Sequence, residues 1–332
     1  MARTKQQQGG HQLEILAAIP AACADERTAV EFLERQRWGD SPACPRCGDT
    51  DVYQMRGRGG KRNARFLWAC RGCRQQFTVR IGTVFEDSRI PLRHWCFGFW
   101  AACASKKGVS AMQIQRQTRV SYKSALFLMH RIRFAMADNG GTPLGGIVEI
   151  DETYVGGKPR KGSAPVHHME QGRFRKGPAL DFKDRKTPVV AMVERGGRVR
   201  AIAPDRVTAK QLQRAIFANV DRSARIMTDE RPTYRAIGKQ YAGHDVVNHS
   251  RGEYARGDVT TNTVEGFFSL LKRGVYGTFH SISRTHLHRY VSEFTFRYNT
   301  RKLDDGERTM QAIRGAEGKR LMVGYRQPRA GE

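Results

Sequence analysis

A short apolar stretch that contains two adjacent acids places the strongest constraint on how this chain folds. Residues Ile147–Val155 lie between a glycine-rich turn and the pair Gly156-Gly157, and branched aliphatic side chains dominate them. This composition predicts a β-strand that is covered on both faces. Asp151 and Glu152 lie in the middle of the strand. A buried carboxylate is unfavourable unless it is paired or binds a metal ion, so the stretch indicates either a salt-bridged edge strand or a functional site.

Two further acids lie where they can join this strand. Asp229 ends a short predicted strand, and Glu265 lies at the start of a long predicted helix that begins near Asn262. The order of strand, hairpin, helix, strand, helix, strand and helix indicates an α/β layered domain over residues 145–300. Carboxylates on neighbouring strands and a packed helix can hold two divalent ions roughly 3.5 to 4 Å apart, a spacing that suits phosphodiester chemistry. Mg²⁺ is a hard cation that such oxygen ligands favour.

Glu152 competes with Asp151 for a place in this group of acids. Adjacent residues on a strand point to opposite faces of the sheet. We therefore expect Asp151 to lie with Asp229 and Glu265, and Glu152 to point away from them.

The charge balance indicates a polyanionic partner. The chain has 332 residues, with 58 Lys and Arg against 32 Asp and Glu, which gives a net charge of +26. Nucleic acid is the usual partner of so basic a surface, and anionic lipid is the alternative. No apolar run approaches a membrane span and the polar N-terminus lacks a signal-peptide apolar region, so we expect a soluble, cytoplasmic protein of two or three domains. We expect residues 1–26 to be disordered and residues 301–332 to form a C-terminal tail.

Four of the seven cysteines have the spacing of a metal site. Cys44 and Cys47 form one C-x-x-C pair, and Cys70 and Cys73 form a second. Two such pairs can supply four thiolates to one tetrahedral zinc ion, whereas disulfides are the competing explanation. The intervening segment alternates enough to form strands, so we predict a structural Zn²⁺ in a zinc ribbon with a leading helix over residues 27–84.

Three predicted helices follow the ribbon over residues 90–140. The last two are a short helix after Ser110 and a longer helix after Ser121, in the arrangement of a helix-turn-helix. The cations of the longer helix would then face DNA, and the candidates are Lys123, Arg131 and Arg133. A three-helix packing module without DNA contacts is the alternative.

Residues 156–186 are rich in Gly, Pro, Lys, Arg and His and have no apolar period. This composition indicates a long, mobile basic loop beside the acid-bearing strand. Its cations, which include Lys158, Arg160 and Lys161, either clamp DNA or only face solvent.

Several stretches together resemble one family of mobile-element enzymes. They are Cys-Pro-Arg-Cys-Gly at 44–48, Gln-Phe-Thr-Val-Arg-Ile-Gly-Thr-Val-Phe-Glu at 76–86, Ile-Asp-Glu-Thr-Tyr-Val-Gly-Gly-Lys at 150–158, and Thr-Asn-Thr-Val-Glu-Gly-Phe-Phe-Ser-Leu-Leu-Lys-Arg at 261–273. The combination is similar to bacterial insertion-sequence transposases of the DDE superfamily, and more narrowly to the IS1595 family. The resemblance covers residues 27–325.

The resemblance implies an RNase H-like catalytic fold, with a mixed sheet flanked by helices, behind a zinc ribbon and a helix-turn-helix. It implies that Asp151, Asp229 and Glu265 are the catalytic acids and that they hold two Mg²⁺ or Mn²⁺ ions. Lys272 lies two helical turns beyond Glu265 on the same helix face, so it can meet the same DNA, with Arg273 beside it.

The activity that the resemblance implies is cleavage at the ends of an insertion sequence and transfer of those ends to target DNA. The partners are then double-stranded DNA, as terminal repeats and as target, and at least a second copy of the chain, in the bacterial nucleoid. Two other classes stay open: a non-cutting DNA-binding regulator derived from a transposase, and a structure-selective nuclease on the same fold. At the third catalytic position, Asn262 is the alternative to Glu265.

Overall fold

The structure is a computed structural model that describes residues 17–138, 140–156 and 186–322, together with the backbone of residues 167–170 and 173–176. The described chain divides into two compact units. The first unit ends at Asp138 and resumes at Thr300, and the second unit is formed by the residues between them.

The zinc ribbon of the first unit is a small antiparallel sheet beneath a helix. Its strands follow the order β1-β2-β3, with β1 at Val52–Gln54, β2 at Trp68–Cys70 and β3 at Gln76–Phe77. The ring of Trp38, at the end of the leading helix, meets those of Trp68 and Phe77 edge-on at 5.7 and 5.8 Å between centroids. This aromatic contact joins helix and sheet, and it confirms the predicted ribbon with its leading helix.

Among the described residues, five helices precede the second unit, and three of them follow the ribbon as predicted. Ser110 and Ser121 cap two of these helices, since their hydroxyls accept the N–H groups of Gln113 and Ser124 at 3.2 Å. The helices are α1 (residues 17–24), α2 (Glu26–Trp38), α3 (Leu92–Ala104), α4 (Ala111–Thr118) and α5 (Tyr122–Ala135).

The second unit is built around a mixed five-stranded sheet. Its strands, in spatial order, are β10 (Gly243–Val247), β9 (Arg225–Asp229), β4 (Ile147–Val155), β7 (Thr187–Glu194) and β8 (Val199–Ile202). Strand β4 is central: it pairs in parallel with β9, which pairs in parallel with β10, and antiparallel with β7. The other described strands form two separate two-stranded sheets. One pairs β5 (His167–Glu170) with β6 (Arg173–Lys176), and the other pairs β11 (Ala255–Arg256) with β12 (Val259–Thr260). This mixed sheet with flanking helices confirms the expected fold class.

Different helices cover the two faces of the sheet. They are α6 (Ala209–Asn219), α7 (Pro232–Gly238), α8 (Asn262–Gly274) and α9 (Leu287–Asn299), with single turns at His249–Arg251, Val275–Phe279 and Arg284–His286. Helices α6 and α7 pack on the face that carries Val148 and Ile150. Helices α8 and α9 pack on the opposite face, where Val264 and Phe294 meet Val193 of β7. Strand β4 is therefore covered on both sides, as its composition predicts.

The C-terminal segment is more ordered than a tail. Residues Asp305–Arg314 form helix α10, which packs against α2, α3 and α5 within the first unit. Arg308 donates to the carbonyl oxygen of Cys103, at the end of α3, at 3.0 Å, and Lys319 Nζ donates to that of Ala135, at the end of α5, at 2.9 Å. These cations satisfy carbonyl groups that a helix leaves free at its C-terminus.

Two other segments contain secondary structure that the sequence did not predict. Residues 17–24, predicted to be disordered, are helical because an alanine-rich turn buries Ile19 and Ala22. Within residues 156–186, the short strands β5 and β6 pair in antiparallel fashion. Lys158, Arg160 and Lys161 lie outside the described residues. Over the part of the chain that the structure describes, no helix is both long and apolar enough to cross a membrane.

Candidate active site

The central strand pair brings the first two predicted acids together. Glu149 of β4 lies opposite Met227 of β9 in parallel register, and Asp151 and Asp229 each follow two residues later. Both acids therefore occupy the same level of the sheet and the same face. Asp151, Glu152 and Asp229 each offer a carboxylate oxygen within 4.8 Å of the others.

Burial and mutual repulsion make this group unfavourable without a cation. Burial, together with the charges of Asp229, Glu152 and Glu265, raises the pKa of Asp151 to about 7. Burial also raises the pKa of Asp229 above its ordinary value. Carboxylates crowded in this way match the hard oxygen ligands that Mg²⁺ and Mn²⁺ favour. The residues therefore fit the predicted divalent ions.

Glu152 joins the group from the opposite face of strand β4. Its side chain is only 1% exposed and lies 3.0 Å from Nη1 of Arg231. Burial raises the pKa of Glu152, and the Arg231 charge opposes that rise. Arg231 also reaches Asp229, with its backbone N–H 3.2 Å from Oδ1. Glu152 lies on the face of Val148 and Ile150, beside Tyr234, as alternation predicts, but its carboxylate still comes within 4.8 Å of those of Asp151 and Asp229. Its partner Arg231, two residues past Asp229, was missed.

Helix α8 carries the third predicted acid. Glu265 is exposed in the first turn of α8 and receives a long hydrogen bond from the Thr261 hydroxyl at 3.4 Å. It does not belong to the group within 4.8 Å, but its charge contributes to the raised pKa of Asp151. Asn262, the alternative at this position, is exposed at the start of the same helix.

The last turn of α8 carries the two predicted cations. Lys272 is half-buried there and Arg273 is exposed. By the rise of an α-helix, Lys272 lies about 10 Å along the axis from Glu265. That separation is too long for the two residues to bind one ion.

The four cysteines of the ribbon form a site of zinc dimensions. The sulfur atoms of Cys44 and Cys73 are 3.7 Å apart, and those of Cys47 and Cys70 are 3.6 Å apart. A tetrahedral Zn²⁺ with bonds of about 2.3 Å requires sulfur separations of about 3.8 Å, so the set fits the ion. Burial raises the pKa of Cys44, but backbone N–H groups of Arg46 and Cys47 outweigh it and lower that pKa to about 7. The pKa values of Cys47, Cys70 and Cys73 are raised instead, so Cys44 is the most readily deprotonated of the four thiols.

The predicted DNA-facing cations of α5 are corrected by their burial. Arg131 is 4% exposed and Arg133 is 1% exposed. Arg131 donates to the carbonyl oxygens of Val84 and Glu86 at 2.8 and 2.7 Å, so its guanidinium ties α5 to the segment after the ribbon. Lys123, in the first turn of α5, is exposed as expected.

Exposed cations that were missed lie near the junction of α4 and α5. They are Arg116 and Arg119, and the exposed ring of Tyr122 lies beside Lys123. Their signal in the sequence was position: in a helix-turn-helix, residues at the start of the second helix reach the base edges.

Comparisons with known proteins agree with this geometry. Residues 143–299 match the ISXO2-like transposase domain, and residues 24–76 match the transposase zinc-ribbon domain. A protein of the transposable element ISH50 from Halobacterium salinarum is 30% identical over 276 residues, which cover 82% of this chain and 90% of that protein.

A solved structure also aligns, at a low score. It is the simian T-cell lymphotropic virus intasome in complex with the PP2A regulatory subunit B56 gamma, with 14% identity and a TM-score of 0.27 over 61% of this chain and 65% of that chain. The two domain matches and the ISH50 relative together show the family. The chain belongs to the IS1595 family of insertion-sequence DDE transposases, with an ISXO2-like catalytic domain and an N-terminal zinc ribbon.

Proposed function

We propose that this transposase cleaves DNA at the ends of its insertion sequence and joins the released 3′ ends to target DNA. The observation that carries the proposal is the placement of Asp151 and Asp229 at one level of adjacent parallel strands. Their raised pKa values reflect a crowded carboxylate group that a divalent cation would relieve.

Asp151, Asp229 and Glu265 would hold two Mg²⁺ or Mn²⁺ ions in this reaction. When bound, such ions supply a Lewis acid and an activated nucleophile at the scissile phosphate. Water first attacks the phosphodiester and a 3′-hydroxyl leaves. That hydroxyl then attacks a target phosphodiester in line, so one P–O bond forms as another breaks. The chain itself forms no covalent bond to DNA.

Cations of the second unit would hold the DNA at this group of acids. Glu265 lies in the first turn of α8, and Lys272 and Arg273 lie in its last turn. A DNA strand bound along this helix would therefore contact the acid at one end and the two cations at the other. Contacts of this kind position the backbone without reading its sequence. Lys158, Arg160 and Lys161 would add diffuse contacts to the same strand.

The first unit would recognise the terminal repeats. The exposed residues Arg116, Arg119, Tyr122 and Lys123 combine phosphate-binding cations with an aromatic ring at the start of α5. Their position suits the reading helix of a helix-turn-helix, and the zinc ribbon would add further contacts. Because two ends must be held together for joining, the active form is at least a dimer on DNA, and its place of action is the nucleoid.

The experiment is a reaction with DNA that carries the flanking terminal repeats, a supercoiled target plasmid and Mg²⁺. Strand-transfer products whose junctions lie at the element ends are the expected result. Nicked products without joining would indicate a structure-selective nuclease, and specific binding without any cleavage would indicate a regulator. Either outcome would overturn the proposed activity. Chelation by EDTA is the control for metal dependence.

A further inference from the structure

A buried carboxylate lies beside the group of acids and takes no part in the proposed chemistry. Glu149 of β4 is 0% exposed. It precedes Asp151 by two residues, so both side chains lie on the face that α8 covers. An isolated buried charge is strongly unfavourable, so its partners indicate what it does.

The Glu149 carboxylate accepts hydrogen bonds from the first turn of α8. Its Oε2 accepts the backbone N–H groups of Thr263 and Val264 at 2.7 and 3.1 Å. Its Oε1 accepts the Thr263 hydroxyl at 2.8 Å. The residue that precedes the helix, Thr261, makes no side-chain cap of its own. Glu149 therefore acts as the N-cap of α8, although it lies on a strand more than a hundred positions earlier in the sequence. Its negative charge also interacts favourably with the positive end of the helix dipole.

Arg195 extends this attachment to the segment that enters the helix. Its Nε donates to Oε1 of Glu149 at 2.6 Å. Its two terminal nitrogens donate to the carbonyl oxygens of Asp258 and Thr260 at 2.7 and 3.1 Å. The pair Glu149–Arg195 thus fixes both the approach to α8 and its first turn against strand β4.

We infer that Glu149 is a positioning residue that sets the distance between Glu265 and Asp151. Glu265 directly follows Val264, whose backbone N–H donates to Glu149. Asp151 lies two residues after Glu149 on the same strand, so the two side chains share one face of the sheet. One side chain therefore links the element that carries the first acid to the element that carries the third. This inference rests on the proposed function, since it concerns the metal site that these acids would form.

The test is a titration with Mn²⁺ of protein that keeps its ribbon zinc and holds no other divalent ion. Partners that orient metal ligands change metal affinity by about 10- to 100-fold when removed. Glu149→Gln should therefore weaken Mn²⁺ binding by about tenfold or more. In a Glu265→Gln background the same substitution should produce no further loss, because Glu149 acts through Glu265.

The matched control is Glu293→Gln. Glu293 is also 0% exposed and is paired with Arg297 at 2.8 Å, but it lies on α9, which carries none of the proposed ligands. The Glu293→Gln substitution should lower the melting temperature of the protein but leave its Mn²⁺ affinity at the wild-type value. Hydrogen exchange in the zinc-bound protein without Mn²⁺ gives a second readout. The amides of Thr263 and Val264 should exchange faster in Glu149→Gln and at the wild-type rate in Glu293→Gln.

Thr263→Val serves if Glu149→Gln fails to fold, because it removes only the hydroxyl bond to Oε1. It should weaken Mn²⁺ binding in the same direction by a smaller factor. Wild-type affinity in the foldable variant, or an equal loss with and without Glu265, would overturn the inference alone. Wild-type affinity in Asp151→Asn would overturn the proposed metal site, and the inference with it.

Discussion

The Glu152 carboxylate lies 3.0 Å from the Arg231 guanidinium, so one arginine partly neutralises a group of three acids. We expect Arg231→Ala to lower the free energy of unfolding by about 1–3 kcal/mol in metal-free solution, because Glu152 then lacks its charged partner. Saturating Mn²⁺ should reduce this deficit, because the cation supplies the lost charge.

Urea unfolding with and without Mn²⁺ measures both quantities. Arg231→Lys, which keeps the charge, should show a smaller deficit than Arg231→Ala. A deficit of the same size at every Mn²⁺ concentration would contradict this expectation, because it would show that a cation held by the neighbouring acids does not offset the charge of Glu152.

The zinc ribbon provides a prediction about cysteine. Cys70→Ser should lower the bound zinc from one ion per chain and unfold the ribbon, because the folding free energy of such a small sheet comes from the metal. Binding to terminal-repeat DNA should weaken accordingly. Metal analysis and a binding titration test this, with Cys23→Ser, outside the four-cysteine group, as the control. Full affinity in zinc-free protein would show that the ribbon is a passive spacer.

Substitution of the exposed cations of the helical module should affect DNA binding, whereas substitution of the buried cations should affect stability. Arg116→Ala and Lys123→Ala should each lower the salt slope of DNA binding by about one unit, because each removes one phosphate contact. Arg131→Met should leave that slope unchanged and destabilise the fold, because the carbonyl groups of Val84 and Glu86 lose their donor. A lower slope in Arg131→Met at unchanged stability would restore Arg131 as a DNA contact.

Substitutions in helix α8 and in the basic loop should also have different effects on DNA binding and on strand transfer. Lys272→Ala should slow strand transfer more than it weakens binding, because Lys272 would contact the phosphate beside the scissile bond. Neutralising Lys158, Arg160 and Lys161 together should weaken binding more than it slows chemistry, with a larger change in salt slope. Single-turnover rates and binding titrations over a range of salt separate the two effects. Equal losses from both changes would make Lys272 one more backbone contact.

The sequence alone predicted the elements whose signals are local. The spacing of Cys44, Cys47, Cys70 and Cys73 located the ribbon, and Ser110 and Ser121 marked two helix starts. The apolar character of β4 located the central strand. In each case the residues that determine the element lie within it or beside it.

Features that depend on distant partners were not predictable in this way. Helical periodicity assigned Arg131 and Arg133 to a polar face, but the segment after the ribbon and helix α10 pack against α5. Alternation correctly placed Glu152 on the other face from Asp151, but it did not show that the two carboxylates come within 4.8 Å of each other and of Asp229. The cap that Glu149 supplies to α8 has no sequence signature, because capping rules consider only neighbours of the helix.

In the proposed function, Asp151 and Asp229 hold the ions of a DNA-joining reaction. The most direct measurement compares Asp151→Asn and Asp229→Asn with the wild type in strand transfer and in terminal-repeat binding, with Mg²⁺ present. The control is Asp221→Asn, an exposed turn residue whose hydrogen bond to Ser223 an asparagine can also make. The account predicts no strand transfer from either of the two variants, with end binding near the wild-type value, and full activity in the control. Strand transfer at the wild-type rate by Asp151→Asn or Asp229→Asn would contradict it.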